Sequence, residues 1–67
     1  MTYEDASTWC MRNAAGLTSG QDTTGGQTLT ISAFGHTVTA TVHDASWEGW
    51  RSTLVLLVDH LKRRLMT

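Results

Sequence analysis

The chain contains no proline and a single cysteine, Cys10. A lone thiol excludes an internal disulfide and fits a reducing compartment. Charge is sparse and nearly balanced, with five Lys and Arg against six Asp and Glu and a net charge of −1. That argues against a general nucleic-acid or membrane-surface binder. The longest unbroken apolar run, Leu54 to Val58, is far too short to cross a bilayer. Glu4 and Asp5 stand where a signal peptide needs a basic region. A cytoplasmic protein is therefore expected. At 67 residues the chain is one domain near the lower size limit for independent folding, where self-association often helps.

What the chain does contain is organised around Gln27 to His43, QTLTISAFGHTVTATVH. Its period-2 alternation predicts an antiparallel β-hairpin. A two-residue Gly35-His36 loop of type II′ sets Ala33 opposite Val38, Ile31 opposite Ala40 and Leu29 opposite Val42, with every apolar side chain on one face. After it, Asp44 or Ser46 supplies an N-cap for a helix over about 47–66. Trp47, Trp50, Leu54, Leu57, Val58, Leu61 and Leu65 fall within a sector of about 100° on that helix. The helix is roughly 30 Å long and the strands ~24 Å, so the hairpin's apolar face can lie along it, with Trp47 and Trp50 expected in the core.

At the N-terminus, Thr2 and Asp5 form a capping box for a helix over about 3–15. Tyr3, Ala6, Cys10, Ala14 and Leu17 make its narrow apolar stripe, and Trp9 lies off it. Gly16 reads as the helix stop, with Leu17 folding back on Met11. Residues 17–26 read as a flexible polar loop. The sum is an α+β fold: one α-β-β-α domain spanning 1–67, its hairpin packed on a long C-terminal amphipathic helix with a shorter N-terminal helix beside it.

In element order and length this arrangement resembles the small head–tail joining proteins of lambda-type phages. Its ββα part resembles the N-terminal oligomerisation domains of actinobacterial nucleoid silencers. Both resemblances imply assembly with other chains rather than catalysis.

Chemistry-bearing patterns are few. There is no CxxC, HxxxH or HExxH, and His36 and His43 stand at opposite ends of the hairpin, ~20 Å apart. Cys10 lies on an apolar stripe, where a thiol behaves as a small hydrophobe. Asp59 and His60 point about 100° apart on their helix and form no dyad. Gly25-Gly26 leads into a strand, whereas a phosphate loop must lead into a helix N-terminus. Neither an enzyme nor a metal or cofactor site is expected.

A partner surface is expected instead. From Gln27 through Val42 there is no Lys, Arg, Asp or Glu, and open sheet edges are normally blunted by charge or proline. Such a hairpin invites another strand, from a second copy or from a larger protein target. The candidate contacts are Thr30, Thr37, Thr39 and Thr41 on the outer face, with Trp9 and Phe34 as aromatic anchors. The alternative is that loop 17–26 or the first helix covers one edge. Three functions fit, in this order: a small non-enzymatic interaction module such as a phage-encoded inhibitor or accessory factor; a virion component of the head–tail joining type; and a nucleic-acid-associated regulator. The last would use the basic helix end at Lys62, Arg63 and Arg64, duplicated by dimerisation to make a useful footprint.

Overall fold

A computed structural model of the protein describes residues 1–66. It consists of α1 (Tyr3–Arg12), β1 (Gly16–Gln21), β2 (Gln27–Ala33), β3 (His36–Thr41) and α2 (Trp47–Leu65). The strands form one antiparallel sheet in the order β1-β2-β3. Helix α2 packs on β2 and β3, and α1 packs on α2. The α+β class and both helices agree with the sequence reading; the number of strands does not.

The third strand comes from residues read as a flexible loop. Residues 16–21 pair with 27–32 through a short turn built on Asp22. One Asp22 carboxylate oxygen accepts from the Thr24 amide at 2.9 Å, the Thr24 hydroxyl at 2.7 Å and the Gly26 amide at 2.7 Å. Gly25 takes a φ of 86°, and the Asp22 amide donates to the Gly26 carbonyl at 2.9 Å. This is the three-residue hairpin loop in which a left-handed glycine re-aligns the ladder. Strand β1 is exposed on both faces, so it carries none of the alternation that marks a half-buried strand. With it the element order becomes α-β-β-β-α, which departs from the order behind the phage and silencer resemblances.

The β2–β3 turn also differs from expectation. The loop is Phe34-Gly35, with φ of 54° and 79°, closed by Ala33 opposite His36. Two left-handed residues in a two-residue hairpin define a type I′ turn. Ile31 therefore faces Val38 and Leu29 faces Ala40. Each β2 residue is paired two places from the expected partner, and a shift of two leaves every side chain on its own face. Leu29, Ile31, Ala33, Val38 and Val42 are all buried, as the alternation requires.

Helix α1 begins as expected. The Thr2 hydroxyl accepts from the Asp5 amide at 3.1 Å, and Asp5 accepts from the Thr2 amide at 3.3 Å. It ends earlier, at Arg12, with Asn13 as C-cap, and the left-handed residue is Ala14 (φ 50°) rather than Gly16. The Ala15 amide reaches back to the Cys10 carbonyl at 3.0 Å, the long bond of a Schellman ending. Leu17 does not fold onto Met11, which is exposed; it belongs to β1.

Helix α2 is capped by Ser46, whose hydroxyl accepts from the Gly49 amide at 3.2 Å, while Asp44 accepts from both the amide and the hydroxyl of Ser46. Leu54, Leu57, Val58 and Leu61 are buried against the sheet, and Ile31, Val58 and Leu61 form its fully enclosed centre with Ala6 of α1. The two tryptophans depart from their expected place: Trp47 is 66% exposed and Trp50 half-buried at the core margin. Trp47 is the first helical residue and packs edge-to-face on Tyr3 of α1 and beside Arg51 rather than under the hairpin.

Two substitutions should shift stability in opposite directions in urea unfolding. A Cβ on Gly49 would overlap the Asp44 carbonyl, so Gly49→Ala should cost ~1–3 kcal/mol. Ala14→Gly should gain about 0.5–1 kcal/mol by relieving the left-handed alanine. Equal effects of both would contradict this loop geometry.

Candidate functional site

Two hydrogen bonds set the phase of both ladders. The Val42 amide donates to the Gln27 carbonyl at 2.8 Å, which makes Leu29–Ala40, Ile31–Val38 and Ala33–His36 the hydrogen-bonded pairs in the observed register. Thr37, Thr39 and Thr41 therefore aim their N–H and C=O groups away from β2. By the same alternation the Asp22–Gly26 bond leaves Leu17, Ser19 and Gln21 with their backbone groups facing outward from β1. Among the described residues no further strand pairs with either edge.

The β3 edge opens into a groove of about 740 Å³ between the sheet and α2. Thr37, Val38, Thr39 and Ala40 line its floor; Leu56, Leu57, Asp59, His60, Arg63 and Arg64 form its wall. Leu56 is 67% exposed there. Asp59 and Arg63 pair at 3.1 Å along the helix rim. The groove is apolar at its base, ionic at its rim and bounded on one side by the outward-facing peptides of Thr37 and Thr39.

The β1 side has a smaller apolar hollow of about 350 Å³, bordered by Tyr3, Leu17, Leu29, Trp47, Trp50 and Leu54. Arg51 lies over the Tyr3 ring, 4.6 Å from its centroid, and 5.9 Å from that of Trp47. Tyr3 and Trp47 meet edge-to-face at 6.1 Å. Glu4 approaches the same guanidinium at 3.5 Å. This cluster ties the start of α1 to the start of α2 through cation–π contact, with the Arg51 Nε buried and without a hydrogen-bond partner among the described residues.

The expected contact residues do not stay together. Thr37, Thr39 and Thr41 lie along the open β3 edge. Thr30 is on the central strand, its backbone paired and its hydroxyl 2.8 Å from that of Thr39, so it serves the sheet and not an edge. Trp9 is half-buried and packs one side against the core, on the far side of the fold from the threonine face. Phe34 is 64% exposed at the hairpin tip in a left-handed conformation. Such a position normally favours Asn or Gly, so a bulky exposed ring held there is the kind of local strain that accompanies contact sites. At the basic end, Arg63 is ion-paired with Asp59, and Lys62 is half-buried. Leu56 and the β1 edge were not anticipated. A solitary exposed leucine carries no signal by itself, and Leu56 gains meaning only from its place above the β3 edge.

The remaining titratable groups have structural roles. Three exposed aspartates are held below the ordinary value of 3.8 by hydrogen bonds to the charged form: Asp5 by Thr2, Asp22 by Thr24 and Gly26, and Asp44 by Ser46. Burial raises the Cys10 thiol, which disfavours the thiolate. Among the described residues no group of three His, Cys, Asp or Glu could hold a metal ion, and no helix is long and apolar enough to cross a membrane. No family model matches the chain, and neither a curated protein nor a solved structure is similar to it.

A carboxylate whose pKa is depressed on folding stabilises the fold above its unfolded pKa, and that contribution disappears as pH falls through the folded value. Stability should thus be flat down to about pH 4 and decline below it. The Thr24 and Gly26 amide signals should follow the Asp22 titration at a midpoint under 3.8. A midpoint at or above 3.8 would contradict the Asp22-built turn.

Proposed function

We propose that this protein is a small, non-enzymatic protein–protein interaction module that receives a strand of another polypeptide on its β3 edge. The observation that carries the reading is the outward-facing backbone of Thr37, Thr39 and Thr41 beside a groove in which Leu56 is exposed. An added strand would satisfy those peptide groups. Its inward side chains would reach the apolar lining formed by Val38 and Ala40 of the floor and Leu57 of the wall, which is how strand addition combines main-chain affinity with side-chain selectivity.

A non-catalytic role is supported by the shape and contents of the grooves. Both are open, and Asp59 is engaged by Arg63 rather than poised beside a nucleophile. Action in the cytoplasm is supported by Cys10, a half-buried free thiol. A module of this kind would act as a small inhibitor or accessory factor, by capping or extending a sheet on a larger protein or by assembling with its own kind.

The test is a photo-crosslinking residue placed at Leu56 and, separately, at exposed Arg12 on α1 away from the groove. On irradiation in cells, the Leu56 variant should give discrete protein adducts that the Arg12 variant lacks. Equal labelling from both positions would contradict a docking site at the β3 edge.

A further inference from the structure

We propose that the strand received by the β3 edge is acidic: an extended segment of another protein, with carboxylate side chains at alternate positions on the side facing α2. The proposal rests on the strand-addition reading above and specifies the chemistry of the partner. What distinguishes the groove is the sign of its charge. Arg63 and Arg64 border it against a single acid, Asp59, a balance of +1, with His60 exposed beside them. The whole chain carries −1, which leaves −2 for everything outside the groove. The other acids, Glu4, Asp5, Asp22, Asp44 and Glu48, all lie away from it. A net-positive wall on a net-negative protein favours an anionic strand and disfavours one carrying Lys or Arg.

The pleat of an added strand delivers carboxylates to that wall. Residues directly opposite one another across a sheet share a face. Incoming side chains beside Val38 and Ala40 would therefore rise toward α2, and those beside Thr37 and Thr39 would face solvent. A glutamate on the inner side would lay its methylenes along the exposed Leu56 and carry its carboxylate to the rim. Arg63 contacts Asp59 through one terminal nitrogen, at 3.1 Å. A guanidinium has five N–H donors in a planar fork, so this contact leaves capacity for a second carboxylate. On the outer side a threonine fits, since Thr30 and Thr39 already meet hydroxyl to hydroxyl at 2.8 Å across the sheet.

The edge itself favours a peptide over other anions. Thr37 and Thr39 present both N–H and C=O groups outward, and a peptide main chain pairs with both. A DNA backbone supplies acceptors alone, and two guanidinium groups are few for a polyanion. A second copy of this chain would set one net-positive wall against another.

The test titrates the full chain with six-residue peptides, the length of β3, alternating Thr with Glu, Gln or Lys, and reads its amide resonances. Exposed ion pairs contribute modestly, so the Glu peptide should bind about tenfold tighter than the Lys peptide, with the Gln peptide between them. The gap should narrow as salt rises. Arg63→Gln combined with Arg64→Gln keeps good helix formers and should bring the three affinities together; circular dichroism checks the fold. N-methylation of the Glu peptide at alternate residues should abolish binding in one frame and spare it in the other, because only every second N–H faces β3. Equal affinities for the three peptides, tighter binding of the Lys peptide, or a Glu preference that survives the double substitution overturns the acidic partner. So does tighter binding of a single-stranded oligothymidylate. If the alternate-frame pattern persists in those cases, strand addition stands and only the partner's charge is wrong. No binding at millimolar peptide, or equal loss in both frames, overturns both.

Discussion

One helix covers about two strands, and this domain has three. Leu54, Leu57, Val58 and Leu61 of α2 are committed to the faces of β2 and β3. The short helix α1 is spent on bracing α2, through the buried Ala6 and the Tyr3–Arg51–Trp47 stack. Nothing of comparable length remains to roof β1 or to close the far side of β3. The exposed character of β1, the position of the groove and the unpaired backbone of β3 all follow from that shortage of helical surface in 67 residues.

The parts of the fold legible in the sequence are those with a buried face. Alternation in Leu29, Ile31, Ala33, Val38 and Val42 marks a half-buried hairpin, and the 3.6-residue spacing of Leu54, Leu57, Leu61 and Leu65 marks the helix that covers it. The pairing register was not legible, because a slide of two residues keeps every side chain on its face and changes only the turn. Strand β1 was hidden for a related reason. Held by main-chain pairing, with Leu17 its one apolar side chain, it reads as a polar loop. The signal that could have found it is the Asp22-to-Gly25 turn, whose carboxylate and left-handed glycine form a hairpin connection. The tryptophan at position 47 shows a different limit: an angular sector says which way a side chain points, but not whether a strand extends that far.

The candidate site was half visible on the same grounds. Missing charge drew attention to the β3 threonines, and their outward backbone places them on an open edge. Thr30 was grouped with them because it shares their face, yet the unforeseen β1 makes its strand the middle one. Trp9 lies off the apolar stripe of α1, and its partial burial comes from the core that α1 meets. Leu56 reads in the sequence as a single exposed leucine, and only the fold sets it beside the β3 edge. Only three-dimensional placement shows which edge has both outward-facing peptides and an apolar wall.

Hydrogen exchange at individual β3 amides tests the central claim most directly, because odd and even residues of one strand act as each other's control. In dilute solution Thr37, Thr39 and Thr41 should exchange without protection while Val38, Ala40 and Val42 stay protected by β2. Protection of those threonines equal to that of Val38, Ala40 and Val42 would contradict an open β3 edge.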